Sequence, residues 1–121
     1  TSLQEIMGLF FKPVAWTMGV PWSEAGIMGT LMGEKLALTE LIAYNDLRMV
    51  ASSGQISERT AIIASYALCG FANFGSMGIQ IGGLGSIAPN RRSDLAKLAF
   101  KAMIGGALAS WITASIAGIL I

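Results

Sequence analysis

The chain has 121 residues, 54% of them hydrophobic and only 12% charged, with a net charge of +1 and no histidine. Soluble domains carry about 25% charged residues, so this composition, with a mean hydropathy of +0.64, excludes an ordinary soluble domain and points to a membrane protein. Near-neutral charge offers no basic surface for nucleic acid. Without histidine the chain lacks the commonest general base and the commonest transition-metal ligand. The single cysteine, Cys69, lies in an apolar run, forms no internal disulfide, and reads as a small buried hydrophobe.

Residues 3–12 (LQEIMGLFFK) have the pattern of a short amphipathic helix, with Lys12-Pro13 as a kink or stop. The run is too short to span a bilayer, so an interfacial helix over 3–18 is expected, with Trp16 and Trp22 in the aromatic belt. No basic n-region precedes it, and Glu5 and Lys12 interrupt it, so it is not a signal peptide. The chain starts on Thr and stops on an apolar helix, which is read as a section of a longer membrane protein.

Pro21-Trp22-Ser23-Glu24 marks a helix start, with Ser23 as the expected N-cap and Glu24 in the first turn. The apolar segment that follows is interrupted by Glu34-Lys35, Thr39-Glu40 and Asn45-Asp46. Neither half is long enough to cross a membrane, so 23–51 is expected to be a re-entrant hairpin of two short helices meeting near 37–40. Ser57 caps the next helix. Residues 60–90 then run for 31 positions without a charge, yet carry five glycines over 75–85 and an Asn at 73. Glycine at that density breaks a continuous helix, so 57–88 is expected to be a transmembrane helix split into two half-helices near Phe71-Ala72-Asn73. The last helix, over 92–121, starts at Arg91-Arg92-Ser93-Asp94 and ends in 20 uncharged residues, enough to span. Its Ala102, Gly106, Ser110, Ala114 and Gly118 form a small-residue stripe suited to close helix packing. Arg91, Arg92, Lys97 and Lys101 place its N-terminal end in the cytoplasm, which puts the mouth of the hairpin outside. The expected fold is all-α integral membrane: one re-entrant hairpin, one broken and one continuous transmembrane helix.

Gly83-x-Gly85-x-x-Ala88 matches a dinucleotide fingerprint only superficially, since Pro89 follows and no strand precedes it. Asn73 is more informative. A polar amide inside an uncharged stretch needs partners, because an unsatisfied polar group in hydrocarbon costs several kcal/mol. It either caps the broken helix or hydrogen-bonds a solute, and Ser76 would share its face. Glu40, at the tip of an apolar hairpin, is a functional candidate by position; its carboxylate suits the two hydroxyls of a diol, and pairing with Lys35 is the alternative. Together Glu40, Asn73 and Ser76, with Phe71 to stack on a flat ring, would form a polar cup at mid-membrane. The competing reading is a structural or regulatory membrane subunit whose polar residues only pack helices.

The strings PWSEAG…LMGEKLALTELIAY, SERT, YALCGFANFGSMGIQIGGLGSIAP and APNRRSDLAKL resemble the C-terminal part of the concentrative nucleoside transporter family. The resemblance runs from about residue 10 to the end. It implies no enzyme activity, but import of nucleosides driven by sodium or protons, in a trimer of the plasma (bacterial inner) membrane. It implies that this chain is half of an inverted-repeat transport domain, partnered by the N-terminal part of the same protein and by the bilayer. No cofactor is implied, and the coupling-ion site would lie outside this chain. By the resemblance, Glu40, Asn73 and Ser76 bind the ribose and Phe71 lies near the solute, while the base is read mainly by another hairpin. The family often has Asn where Thr39 stands, making Thr39 a possible secondary site residue, and Ser where Gly75 stands.

Overall fold

The computed structural model describes residues 2–121, and all regular structure among them is helical: α1 (Leu3–Thr17), α2 (Trp22–Ala37), α3 (Glu40–Ser52), α4 (Glu58–Ala67), α5 (Phe74–Ile87) and α6 (Arg92–Leu120). A short 3-10 turn, Pro89–Arg91, joins the last two. Among the described residues one helical segment, Pro89–Leu120, is long and apolar enough to cross a membrane.

α1 does not stop at Pro13 but carries it inside the helix. A proline within a helix removes one backbone hydrogen bond; α1 survives this because it is packed along α2 through glycines. A Cβ on Gly29 would lie 3.0 Å from the Lys12 nitrogen, and one on Gly8 would lie 2.6 Å from the Thr30 hydroxyl. The two backbones therefore approach as small residues allow. At the far end of this pair the Trp16 and Trp22 rings meet edge-on at 6.3 Å, and the Lys12 ammonium lies 4.5 Å from the Trp22 ring centre.

Ser23 is not the cap of α2. That helix opens one residue earlier, with Pro21 before it and no side-chain cap, because the Pro21 carbonyl already accepts from the Glu24 and Ala25 amides, each at 2.9 Å. α2 ends at Ala37 and α3 begins at Glu40. Thr39 closes the turn, its hydroxyl accepting the Ile42 N–H at 3.4 Å. The mouth of this helix pair is tied to α4 by Glu24, whose carboxylate accepts the Ser57 amide and hydroxyl, both at 3.0 Å, and the Thr60 hydroxyl.

α4 and α5 lie along α6, in the opposite direction to it. Near the start of α4, Arg59 donates to the carbonyls of Gly118 at 2.7 Å and Ile121, at the end of α6, and to Gly19 at 3.2 Å. Beyond the break, a Cβ on Gly85 would meet the Arg92 side chain at 3.0 Å, near the start of α6. Between these ends, Ser110 donates to the Cys69 carbonyl at 2.8 Å, and Ala72 packs 3.3 Å from where a Cβ on Gly106 would sit. The small-residue stripe of α6 is thus the surface on which the broken segment lies, with Ala114 and Gly118 buried beneath α4. The core joins Phe11, Ala15, Met28 and Met32 to Ile63, Ala67 and Leu68 of the α4 side and to Ala107 and Ala114 of α6. Cys69 is exposed and not a buried hydrophobe, because it sits in the break after α4 has ended.

Candidate functional site

The break between α4 and α5 covers six residues, 68–73. Gly70 turns the chain there with φ of +100°, a left-handed conformation that glycine adopts without a Cβ penalty. Asn73 then starts α5: its side-chain oxygen accepts the Ser76 amide at 2.8 Å, leaving its NH2 group free to donate elsewhere. That group donates to Glu40 Oε2 at 3.0 Å, across 33 positions of sequence. Asn73 is only 2% exposed, so both halves of its amide are satisfied by protein, as a buried amide requires.

Glu40 occupies the first turn of α3, and Asn73 is the cap of α5. Two helix N-termini therefore converge on one carboxylate, and their unpaired N–H groups carry partial positive charge toward it. A hydrogen bond to an ionised acceptor is about twice as strong as a neutral one. Among the described residues Glu40 Oε1 has no hydrogen-bond partner, so one carboxylate oxygen is held and the other remains to accept.

Beside this pair lies a cleft of about 220 Å³ between α5 and α6, whose lining includes Phe71, Asn73, Ser76, Met77, Gln80 and Gly106. Small-molecule sites usually enclose about 300–1,000 Å³, so the cleft has the size of one wall of a site. Phe71 is 73% exposed and presents its ring there. The structure thus brings Glu40, Phe71, Asn73 and Ser76 to one place, Glu40 from beside the cleft through its bond to Asn73. Thr39 is turned to capping α3 instead. Gln80 is a cleft-lining residue not singled out above; its spacing of four from Ser76, one helical turn, is the signal that would have found it. The break also lies opposite the middle of α6. Gly106, which faces Ala72, is the middle residue of α6.

Residues 1–118 match the family model described as Na+ dependent nucleoside transporter C-terminus. The chain belongs to this family. Among curated proteins it is 48% identical over 120 residues to the Uncharacterized transporter YutK of Bacillus subtilis, covering 99% of this chain and 29% of the relative. It is 42% identical over 121 residues to the Putative nucleoside permease NupX of Escherichia coli, again 99% of this chain and 29% of the relative. Among solved structures it superposes on CNTnw in an inward-facing substrate-bound state with a TM-score of 0.91 at 46% identity, covering 98% of this chain and 29% of that one. The chain therefore spans under a third of the length of these relatives. The family is one of membrane transporters and not of enzymes, and the helical architecture described above is the one CNTnw has in its corresponding part.

Proposed function

We propose that this chain is the C-terminal half of the transport domain of a nucleoside importer, and that Glu40, Asn73 and Ser76 bind the ribose while Phe71 lines the pocket beside it. The Glu40–Asn73 hydrogen bond, set beside the middle residue of α6, carries this reading. If α6 crosses the bilayer, the middle of α6 is mid-membrane, where a paired carboxylate and amide mark a solute path. α4 and α5 are then the two halves of a broken transmembrane helix. α2, of 16 residues, is about 24 Å long at 1.5 Å per residue, short of the ~30 Å hydrocarbon core. With its mouth at the level of the end of α6 and its tip at the break, the α2–α3 pair fits a re-entrant hairpin. The segment boundaries are those of 3–18, 23–51, 57–88 and 92–121. Thr39 shapes the hairpin tip by capping α3, and so acts on the cup from outside it.

Transport would be alternating access without covalent chemistry, driven by a sodium or proton gradient whose ion site lies in the rest of the protein. The family's Na+ dependence favours sodium. The complete protein would be a homotrimer in the bacterial inner membrane, oriented with Arg91 and Arg92 cytoplasmic. The chemistry required of this half of the cup is modest: a vicinal diol donates two hydroxyls, Glu40 Oε1 accepts, and the Ser76 hydroxyl and the cap of α5 supply further polar contacts. The test is Glu40→Ala in the complete transporter. Uptake should be lost while the protein remains membrane-inserted, and normal uptake would overturn the assignment. A packing subunit would instead show no heat on titration of the complete wild-type protein with uridine.

A further inference from the structure

The cleft beside the Glu40–Asn73 pair is lined by three side chains able to form strong hydrogen bonds: Asn73, Ser76 and Gln80. Asn73 commits both halves of its amide, to Ser76 and to Glu40. Gln80 is exposed, and its side chain makes no hydrogen bond among the described residues. A second cleft between α5 and α6, of about 240 Å³, shares Gln80, Ala99 and Ala102 with the first and is completed by Leu84, Leu95 and Leu98, toward the 3-10 turn. Gln80 is the one polar side chain in that second lining. The polar surface of the groove therefore ends at Gln80, and leucines follow. With α6 across the bilayer, this floor is still inside hydrocarbon. Gln80 stands seven residues beyond Asn73, which is about 10 Å along α5 at 1.5 Å per residue and within the ~15 Å half-thickness of the core. An amide there is costly unless it is hydrogen-bonded, whereas a leucine or methionine would occupy the position without that cost. Gln80 lies one turn beyond Ser76 on the same face of α5. Side chains on a helix lean toward its N-terminus, which for α5 is the break at Asn73. An amide both donates and accepts, so it can satisfy a hydroxyl in both of its roles. With the vicinal diol of a ribose at Glu40 and Asn73, the sugar has one hydroxyl left, on the exocyclic 5′ carbon that projects from the ring.

We propose that Gln80 is a solute-binding residue: its amide takes the 5′-hydroxyl of a nucleoside whose diol is held at the break, and so makes the site select solutes with that hydroxyl over 5′-deoxy ones. The inference rests on the ribose-binding reading above. It extends the site one helical turn along α5, to the point where the polar lining of the groove stops. It also separates Gln80 from Met77 and Met103, which line the same cleft and offer the solute apolar contact without hydroxyl recognition.

The experiment is calorimetric titration of the complete detergent-purified transporter with uridine, with 5′-deoxyuridine and with 2′,3′-dideoxyuridine. The wild type should prefer uridine to both analogues. Gln80→Met, which keeps the length of the side chain and removes its amide, should weaken uridine about tenfold and leave 5′-deoxyuridine unchanged, so that the preference between these two collapses. Its preference for uridine over 5′-deoxyuridine staying at the wild-type ratio, whether both ligands weaken together or neither does, overturns the proposal. If Gln80→Met is not recovered folded, Gln80→Ala is read by the same ratio, with a collapsed ratio as support and a retained one as refutation. A wild type that prefers uridine to the dideoxy analogue but binds 5′-deoxyuridine equally well overturns the role of Gln80 alone. A wild type that binds uridine no better than 2′,3′-dideoxyuridine overturns the ribose reading itself, and the role of Gln80 with it.

Discussion

Asn73 serves two partners with two atoms, and substitutions can separate them. Its oxygen caps α5 through the Ser76 amide at 2.8 Å, and its nitrogen donates to Glu40 at 3.0 Å. Serine is as good an N-cap as asparagine, but its side chain is too short to carry an amide donor to Glu40. Alanine supplies neither function. Asn73→Ser should therefore keep the cap and lose the tie, whereas Asn73→Ala loses both. The difference in stability between the two variants isolates the cap, about 1 kcal/mol. The tie is a hydrogen bond to a charged acceptor at a site 2% exposed, a class that contributes about 1.5–3 kcal/mol. If that bond presents Glu40 to the solute, each variant should bind uridine at least about tenfold more weakly, since 1.4 kcal/mol corresponds to a factor of ten. Calorimetry with uridine on the complete transporter measures the affinity, and thermal unfolding followed by tryptophan fluorescence measures the stability. Asn73→Ser protein that binds uridine as tightly as wild type would refute the claim that the Glu40–Asn73 pair presents the cup. Equal melting of the two variants would refute the capping part.

Three further outcomes follow from the packing. Gly118→Ala should destabilise the protein by about 1–3 kcal/mol, because the new Cβ would run into the Met18 backbone carbonyl and sit 3.4 Å from Ile63 Cδ1; an unchanged melting temperature would contradict the close approach of α6 to the α1–α2 turn. Arg59→Lys should speed hydrogen exchange at residues 116–120, since one ammonium cannot reproduce the fork that reaches Gly19, Gly118 and Ile121; exchange as slow as wild type would show that the fork does not hold that helix end. Glu24→Ala should cost about 1–2 kcal/mol, chiefly by leaving the buried Thr60 hydroxyl without its carboxylate acceptor, since the exposed Ser57 donors turn to water, and Glu24→Gln, which keeps one acceptor oxygen, should lie between it and wild type in the same melt.

What could be read from the chain were features carried by neighbouring residues. Ser57 and Asn73 are caps because short polar side chains reach back to a backbone amide three residues on. The stripe from Ala102 to Gly118 announced close packing because spacing of four keeps small residues on one face of a helix. What could not be read depended on distant parts. Pro13 sits within α1 because α2 supports that helix along its length, which no local pattern records. Ser23 looked like a cap in isolation, but the Pro21 carbonyl takes the first helical amides. Lys35 stood near Glu40 in sequence and was a candidate partner for it, yet the partner that bonds Glu40 is 33 residues away. The family resemblance implies separate ribose contacts for Glu40 and Asn73; that the two bond each other is a property of the folded chain.

That mutual hold changes how the two explanations of Asn73 relate. A cap is a structural device and a solute ligand is a functional one, and the sequence presents them as alternatives. In the folded chain the cap comes first. A helix can be interrupted at mid-depth only if its freed N–H groups find partners, and the Asn73 oxygen supplies one to Ser76. Using the oxygen in this way turns the amide nitrogen outward to the hairpin tip, where it meets Glu40. The interruption therefore also ties the turn between α2 and α3 to the start of α5. A residue that capped α5 without a second donor would preserve the helix break and lose the tie to Glu40, so the Asn73→Ser variant tests whether break and proposed site depend on one side chain.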